Sequence, residues 1–286
     1  LDRVRLEVRT CAPGYVGGQE TALVSWLGGG RPVPTFTPPR PDQRGMRGRP
    51  TLVQNVETLA QLALLARYGD RWYRDVGTVR APGTVLLTVR GALARPGVLE
   101  VPYGRQLADV LTAAGGPTMP LQALLVGGYF GAWLAMPAAG AVPLTPTDLQ
   151  VAGAPIGAGV VLALPVDACG LAETAAAVRW LAAQNARQCG PCRFGLPALA
   201  DAFDGLAQAG RPGSAARAGD LCRVVEGRGA CRHPDGVAGL AASALRVFAP
   251  HAVEHERHGP CRHATRPRVL AVPGTTAGHR GPESPA

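Results

Sequence analysis

The hydrophobic pattern divides the chain into regions of different periodicity, beginning with a mostly irregular stretch over residues 1–78. Within it, Leu52, Val56 and Leu59 recur at helical spacing and Gly69 is a stop signal, which predicts one helix. The remainder is rich in glycine and proline and shows no regular pattern. We therefore expect residues 1–78 to be part of a domain without a core of its own.

Residues 79–165 have the pattern of a small α+β domain. Side chains alternate over residues 85–90 before the turn sequence ARPG, which predicts a β-hairpin. Apolar positions at helical spacing in residues 107–114 predict a helix, and the sequences ALLVGG and GVVLALP predict two more short strands. A hairpin, a helix and further strands indicate a domain of the β-grasp kind.

Helical periodicity dominates residues 166–262, where three apolar stripes and a shorter helix over residues 215–226 predict a four-helix bundle. Residues 263–286 are rich in proline, glycine, arginine and serine, so we predict a flexible tail. The chain is thus expected to be an α+β multidomain protein. The stripes consist of Leu171, Ala175, Val178 and Leu181; Leu196, Leu199, Phe203 and Leu206; and Val237, Leu240, Ala244 and Phe248.

An uncharged run over residues 121–142 has the length of a membrane-spanning helix. Gly127, Gly128 and Pro137 divide this run into pieces of strand length joined by turns. A buried sheet is therefore the preferred interpretation, and we expect no direct membrane insertion.

The charge pattern does not favour a nucleic-acid partner. The net charge is +9 and all 29 basic residues are arginine, but they are scattered, and aromatic residues make up only 5% of the chain. We expect a solvated surface or a docking face for an acidic protein. Seven cysteines with no secretory signal do not resemble a disulfide framework, so the predicted location is the cytoplasm.

Two joints of the predicted bundle carry cysteines at ligand spacing. Cys189 and Cys192 lie in a Gly-Pro loop after the first helix, and Cys231 lies immediately before the last helix. Thiolates are the soft ligands that zinc and iron–sulfur clusters require. A single CxxC pair alone leaves four interpretations open: a redox dithiol, part of a zinc site, part of a cluster site, or buried core cysteines.

Five motifs occur in an order that resembles a known family. They are GYVGGQETAL, RGRPTLVQNVETLAQL, ARPGVLEVPYG, QCGPCRFG and VEGRGAC. In this order they resemble the second half of the NADH-binding flavoprotein subunit of respiratory complex I, and the matching subunits of NAD-linked hydrogenases and formate dehydrogenases. The similarity covers about residues 8–250, and the family's N-terminal half is absent. It implies a remnant of the flavin domain over residues 1–78, a soluble-ligand-binding β-grasp domain over 79–165 and an iron–sulfur-binding bundle over 166–262.

The resemblance implies a 4Fe-4S cluster that lacks one of its usual ligands. The family motif Cys-Gly-x-Cys-x-Pro-Cys-Arg places Cys189 and Cys192 at its second and third ligands. The first ligand then falls on Ala186, and Cys231 takes the place of the fourth. We expect these three cysteines to hold the cluster.

Candidates for the open position are Cys222, nine positions before Cys231, and Cys261 after the last helix, with water or a small ligand as alternatives. Zinc, or the loss of all metal, are the other outcomes considered. Cys11 and Cys169 lie far from the motif and are expected to be core residues.

The resemblance also implies that a flavin cofactor would be bound by five residues, which are Gly18, Gln19, Glu20, Gln54 and Asn55. The family usually has Glu in place of Gln19 and Asn in place of Gln54. A tight glycine turn and helix capping are an equal alternative for these positions. FMN and NAD are expected only if the missing N-terminal part is supplied from elsewhere.

The histidines have no unique interpretation. His233 is expected to cap a helix or lie in solvent rather than bind metal, and Asp235 to favour the positive end of the last helix. His251, His255 and His258 have the spacing of a metal-binding helix face, but an exposed polar C-terminal turn is the preferred interpretation.

These features predict an iron–sulfur electron-transfer module of an NADH:quinone oxidoreductase-like complex. Its flavin would be supplied largely outside this chain, by other redox subunits or by a flavin-bearing reductase, and the chain would not oxidise NADH on its own. The alternative is a non-enzymatic β-grasp binding or scaffold protein that has lost its cluster. A third possibility is an incomplete gene product, which an upstream coding stretch with a phosphate-binding loop would establish.

Overall fold

A computed structural model describes residues 5–11 and 14–273. In these residues one mixed β-sheet and a set of α-helices form the framework. The strands are β1 (Thr84–Gly91), β2 (Gly97–Pro102), β3 (Leu121–Val126), β4 (Ala132–Ala135) and β5 (Val160–Pro165). The helices are α1 (Glu20–Leu27), α2 (Val56–Arg74), α3 (Leu107–Ala113), α4 (Pro146–Val151), α5 (Gly170–Ala183), α6 (Leu196–Ala209), α7 (Ser214–Val225), α8 (His233–Val247) and α9 (Ala249–His258).

The sheet has the strand order β2-β1-β5-β3-β4, in which only β1 and β5 run parallel. The predicted hairpin is present as β1 and β2, the predicted helix as α3, and the two later strands as β3 and β5. The uncharged run over residues 121–142 forms β3, a short turn and β4, as its glycines indicate. The sequence analysis missed β4 and α4, because elements of four and six residues are too short to show a period. It also missed α1, which lies in the stretch described as irregular. The β-grasp assignment stays a prediction.

The sheet separates two hydrophobic cores. Along β5, Val161 and Ala163 face a core shared with α3, whereas Leu162 and Leu164 face the helical bundle. Because successive strand residues point to opposite faces, burial on both faces makes β5 a continuous apolar run. One face of the sheet therefore packs on the core of residues 79–165, and its other face packs on the core of the bundle.

Two hydrogen bonds from Trp133 strengthen the contact between sheet and bundle. Its indole Nε1 donates to Thr174 Oγ1 of α5 at 2.9 Å, and its backbone N–H donates to Ser243 Oγ of α8 at 3.0 Å. The Trp133 side chain is almost completely buried. The acceptors for both the side chain and the backbone N–H of Trp133 thus come from the bundle.

The bundle contains α5, α6, α7 and α8 at the predicted positions, and α9 is an additional helix. The expectation of an exposed polar turn was wrong for this last segment, since α9 buries His255 completely. His251 and His258 are exposed, as expected. The difference arises because α9 packs on α6, and this tertiary contact leaves no mark in local spacing.

The segment after α9 also departs from the predicted flexible tail. Over residues 263–273 it lies on the bundle, where Leu270 and Val272 are buried. The buried carboxylate of Glu173 in α5 accepts backbone hydrogen bonds from Val269 at 3.1 Å and Leu270 at 2.8 Å. The rest of the predicted tail, residues 274–286, lies outside the described residues.

Helix α2 presents its apolar face to solvent. The helix begins at Val56, so Leu52, which the apolar pattern included, lies before it. Gly69 interrupts the helix with a φ of 86°. The side chains of Val56, Leu59 and Leu62 are 83%, 51% and 51% exposed. No residue of α2 is buried within the described part of the chain, so the helix lacks a partner for this face.

Among the described residues, every single helix is too short or too polar to cross a bilayer. The consecutive pair α8 and α9 passes the same length and composition test together, but the two helices are bent by 78°.

Candidate metal centre

The CxxC pair lies in a turn that precedes α6. Residues Pro191–Gly195 form one turn of π-helix, in which Cys192 is buried, and Cys189 stands just before this turn. A Cβ atom on Gly195 would lie 2.5 Å from Cγ2 of Val225 in α7. Glycine at this position therefore lets the cysteine turn approach α7 closely.

Cys231 lies in the joint between α7 and α8. A Cβ on Gly229 would lie 2.6 Å from the carbonyl oxygen of Cys231, so this tight joint also requires glycine. Asp235, in the first turn of α8, accepts a hydrogen bond from the backbone N–H of Gly227 at 2.9 Å. Asp235 thus links the N-terminus of α8 to the joint. Its negative charge lies at the positive end of the helix, as predicted.

The three predicted ligands act on one another electrostatically. Burial, together with the nearby Cys189 and Cys231, raises the pKa of Cys192 to about 12. Burial also raises the pKa of Cys231, with a contribution from Cys189. The two joints therefore bring these three sulfurs to one region of the bundle.

Backbone amides point toward two of the three sulfurs. The N–H of Ala186 donates to Cys192, and the N–H of His233 donates to Cys231; each hydrogen bond lowers the pKa of its thiol against the effect of burial. Amide hydrogen bonds to thiolates are a means by which proteins stabilise iron–sulfur clusters. Ala186, which has no thiol to offer as the first ligand, contributes its backbone to the site.

Cys222 was predicted as a candidate for the open position of the cluster. It is buried in α7, and its pKa is raised to about 11 by burial and by Glu226, and lowered by Arg223. Arg223 lies in α7 and Glu226 caps its C-terminus, so neither charged neighbour is part of the CxxC loop. Its role as a fourth ligand stays a prediction without support from these contacts.

His233 is buried, so the expectation of a solvent-exposed or capping residue was wrong. Its Nε2 lies 3.0 Å from the carbonyl oxygen of Leu181 and donates to it, which leaves Nδ1 as a buried atom without a hydrogen-bond partner. Burial lowers its pKa, so the neutral ring is favoured. The ring packs edge-on against Tyr15 and Phe130, with centroids 5.8 and 5.5 Å away.

A cavity of about 300 Å³ connects the N-terminal segment with the cysteine joint. Its walls include Gln19 from the predicted cofactor segment and Cys231 from the predicted cluster site. Tyr15 and Phe130 contribute the aromatic part of the wall. Burial raises the pKa of Tyr15 to about 12, so its hydroxyl stays neutral at ordinary pH. Two of the predicted site residues, Gln19 and Cys231, therefore line one cavity.

Gln19 caps α1, in agreement with the structural alternative for this residue. Its Oε1 accepts hydrogen bonds from the backbone N–H groups of Thr21 and Ala22 at 2.9 and 3.0 Å. Gly18 precedes it in an exposed 3-10 turn, and Glu20 is the first residue of α1. The capping role accounts for Gln19 without a cofactor.

Asn55 likewise caps its helix, because its Oδ1 accepts a hydrogen bond from the Thr58 N–H of α2 at 2.7 Å. It lines a second cavity, of about 550 Å³, between α2 and the sheet edge. Gln54 precedes it and is exposed. The two predicted cofactor segments thus border different cavities, one at Gln19 and one at Asn55.

A group of possible metal ligands that the sequence analysis did not assemble lies elsewhere in the bundle. The ligand atoms of Cys169, His255 and Cys261 are all within 4.8 Å of one another. Cys169 is buried, as expected of a core cysteine, whereas Cys11 is only half-buried. The sequence signal was the pair His255 and Cys261, six positions apart, but its partner Cys169 is 86 positions away from His255.

The cysteine joints lie in a region that is similar to a described protein family. Residues 169–255 match the NADH-ubiquinone oxidoreductase-F iron-sulfur binding region. The NADH-quinone oxidoreductase subunit of this family in Mycobacterium tuberculosis H37Rv is 30% identical over 289 residues, which cover 96% of this chain and 62% of that protein. Its counterpart in Escherichia coli K12 is 30% identical over 85% of this chain and 56% of its own length. The chain spans less than two thirds of the length of these curated relatives.

A solved structure supports the same relation. The fold is similar to that of an NAD+-reducing [NiFe]-hydrogenase in its H2-reduced state, with a TM-score of 0.77 and 30% sequence identity. The similarity covers 92% of this chain and 44% of the hydrogenase chain. The predicted resemblance to the flavoprotein subunit is thereby confirmed.

Proposed function

Because residues 169–255 match the NADH-ubiquinone oxidoreductase-F iron-sulfur binding region, we propose that this chain is an iron–sulfur electron-transfer module. The module would serve an NADH dehydrogenase-like complex and relay electrons from a flavin bound largely outside this chain. A cytoplasmic location belongs to the same proposal.

The observation that carries the proposal is the convergence of Cys189, Cys192 and Cys231. Burial raises the pKa of Cys192 and Cys231, and Cys189 contributes to both shifts, which supports three thiols that lie near one another. Metal binding deprotonates such thiols, and the bound charge then offsets the repulsion among them. The donor set therefore fits a cluster with three cysteine ligands and one open position.

When bound, a 4Fe-4S cluster stores and passes single electrons. The chain's own residues would provide the ligands, exclude water and set the reduction potential. Arg193 follows Cys192 directly, and its positive charge favours the reduced and more negative state. The amides of Ala186 and His233 act in the same direction at the sulfurs.

We propose that the flavin-bearing portion of the complex covers the exposed face of α2. Val56, Leu59 and Leu62 would be costly to leave in water on a protein that works alone. The cavity lined by Gln19 and Cys231 would give the flavin-bearing partner an approach to the cluster site.

The test is the iron and acid-labile sulfide content of the full chain, purified without oxygen. We expect similar amounts of iron and sulfide in the wild type and in Cys11→Ser, and a loss of both in Cys189→Ser and Cys231→Ser. Equal iron in all four proteins, or folded wild type that stays metal-free after anaerobic reconstitution, would contradict the proposal.

A scaffold function is the second candidate, and Ala186 is the observation that favours it. A cluster with an open position is more easily lost than one with four protein ligands. In that case the three cysteines would remain as small buried side chains. A folded, metal-free chain that still binds its redox partner would establish this alternative.

A further inference from the structure

The group formed by Cys169, His255 and Cys261 lies at the opposite end of α5 from the predicted cluster ligands. Cys169 immediately precedes α5, whereas the CxxC loop follows it. The 14 residues of α5 span about 21 Å, so the two groups are separate sites. A change at one group should therefore leave the other intact.

The spacing within this group fits a single metal ion. The Sγ of Cys169 lies 3.8 Å from Nε2 of His255, and all three ligand atoms lie within 4.8 Å of one another. Tetrahedral zinc with its usual sulfur and nitrogen bond lengths places such a pair about 3.6 Å apart. The existing positions thus require only small movements to coordinate an ion.

His255 has the orientation of a metal ligand. The ring is completely buried, and its Nδ1 lies 3.2 Å from the carbonyl oxygen of Leu206, to which it donates. This hydrogen bond selects the tautomer with a lone pair on Nε2, the atom that faces Cys169. Metal-bound histidines characteristically donate their other ring N–H to such a carbonyl. In the described structure Nε2 accepts from the Cys261 N–H at 3.1 Å, and an ion would replace that hydrogen bond.

Cys169 is suited to binding as a thiolate. It is the residue before α5, and the backbone amides of Leu171 and Ala172 point toward its sulfur. The positive end of a helix stabilises a thiolate. Against this, burial raises the pKa of Cys169 to about 12, with Cys261 contributing. A bound cation would remove this conflict between burial and charge.

We propose that Cys169, His255 and Cys261 form a structural zinc site, distinct from the iron–sulfur centre. Two thiolates and an imidazole are the donors that zinc prefers in closed sites, and zinc has no redox chemistry to interfere with electron transfer. His263 is available for the fourth position, since it follows Cys261 by two residues and its Nδ1 is buried without a hydrogen-bond partner. His263 stands outside the 4.8 Å group, so its ligation needs a local adjustment of the segment after α9.

The zinc ion would link two parts of the chain that are distant in sequence. It would join the start of α5, which follows β5 directly, to the end of α9. The segment over residues 263–273, which Glu173 holds against α5, begins at this point. Zinc would therefore stabilise the bundle at the end remote from the cluster.

The experiment measures zinc and iron together in the full chain, purified without oxygen and equilibrated with zinc. We expect stoichiometric zinc in the wild type and its loss in Cys261→Ser. Cys261→His, which replaces the thiolate by a nitrogen donor at the same position, should retain zinc. Cys189→Ser should lose iron while zinc is unchanged, which separates this site from the proposed cluster.

Cobalt(II) gives a second readout that does not depend on a variant folding. Wild type loaded with cobalt should show the visible bands of tetrahedral thiolate coordination, and added zinc should abolish them. The same bands should be present in Cys189→Ser. The proposal fails if wild type binds neither metal, if zinc is equal in Cys261→Ser and wild type, or if mass spectrometry of anaerobically prepared protein finds Cys169 and Cys261 joined in a disulfide.

Discussion

Ala186 is the residue at which the proposed cluster site departs from the motif that the resemblance implies. A methyl group stands where the resemblance implies a thiolate, although the backbone N–H of Ala186 still donates to Cys192. The position is therefore already close to the sulfurs. Restoring a thiol there would not require the loop to move far.

For Ala186→Cys we expect a cluster with four cysteine ligands. Iron should be lost several-fold more slowly in air, because no iron remains open to solvent. The measurement is the rate of bleaching of the visible absorption, with Ala183→Cys at the end of α5 as the control for an added thiol. Identical bleaching of Ala186→Cys and wild type would show that this position lies away from the cluster.

At the scale of elements, the contact between the cysteine turn and α7 is governed by one glycine. A Cβ on Gly195 would lie 2.5 Å from Val225, whereas a Cβ on Gly190 of the same loop meets nothing within 4 Å. Both glycines have helical φ and ψ, so only the available space distinguishes them. The pair provides a matched test of the packing that positions Cys192.

We expect Gly195→Ala to push the turn from α7 and to lower the free energy of unfolding by about 1–3 kcal/mol, the usual cost of overpacking. Iron content should fall with it, while Gly190→Ala should match the wild type in both respects. Adding Val225→Ala to Gly195→Ala should restore iron, since it removes the obstructing methyl groups. Denaturant unfolding and iron analysis check these outcomes, and a Gly195→Ala protein with normal iron would contradict the packing argument.

Glu173 controls how the segment after α9 docks on α5. Burial raises the pKa of this carboxyl above its ordinary value of 4.5, and the hydrogen bonds from Val269 and Leu270 only partly offset that effect. The folded state therefore binds the proton more tightly than the unfolded state. Its contribution to stability is present below pH 4.5 and is lost as pH rises through the raised pKa.

Glu173→Gln should therefore flatten the fall in stability between pH 4.5 and the raised pKa. It should also cost about 1 kcal/mol, because an amide NH2 replaces one of the two acceptors. Thermal unfolding across this pH range is the measurement, with Glu254→Gln on the exposed face of α9 as the control. An unchanged pH slope in Glu173→Gln would refute this role for the carboxyl.

Features set by local residue spacing could be predicted from the sequence, whereas features set by tertiary contacts could not. The CxxC spacing and the stripe of Leu196, Leu199 and Phe203 are local, so the ligand loop and α6 were predictable. The burial of His233 and His255 depends on carbonyls 52 and 49 positions away, at Leu181 and Leu206. No short-range pattern records such partners, and both histidines were therefore misjudged.

At the scale of the whole molecule, the exposed apolar face of α2 is a feature expected of a subunit of a complex and not of a protein that works alone. For Leu59→Glu with Leu62→Glu we expect an unchanged melting temperature, because both side chains are half exposed in the described structure. Binding to the flavin-bearing partner should weaken by at least tenfold, since two charges would be buried in an apolar interface.

Ala60→Glu is the matched control, because the helical repeat directs it to a different side of α2. Calorimetric titration of the partner against each protein measures the effect. Equal weakening by Ala60→Glu, or no weakening by the double variant, would show that the partner does not cover the face of Leu59 and Leu62.

The central claim is that Cys189, Cys192 and Cys231 hold a redox-active cluster. Electron paramagnetic resonance of the chemically reduced full chain, prepared without oxygen, tests it most directly. We predict the signal of a reduced iron–sulfur cluster in the wild type and in Cys169→Ser, and its disappearance in Cys231→Ser. A folded wild type that gives no such signal after reconstitution with iron and sulfide would contradict the account.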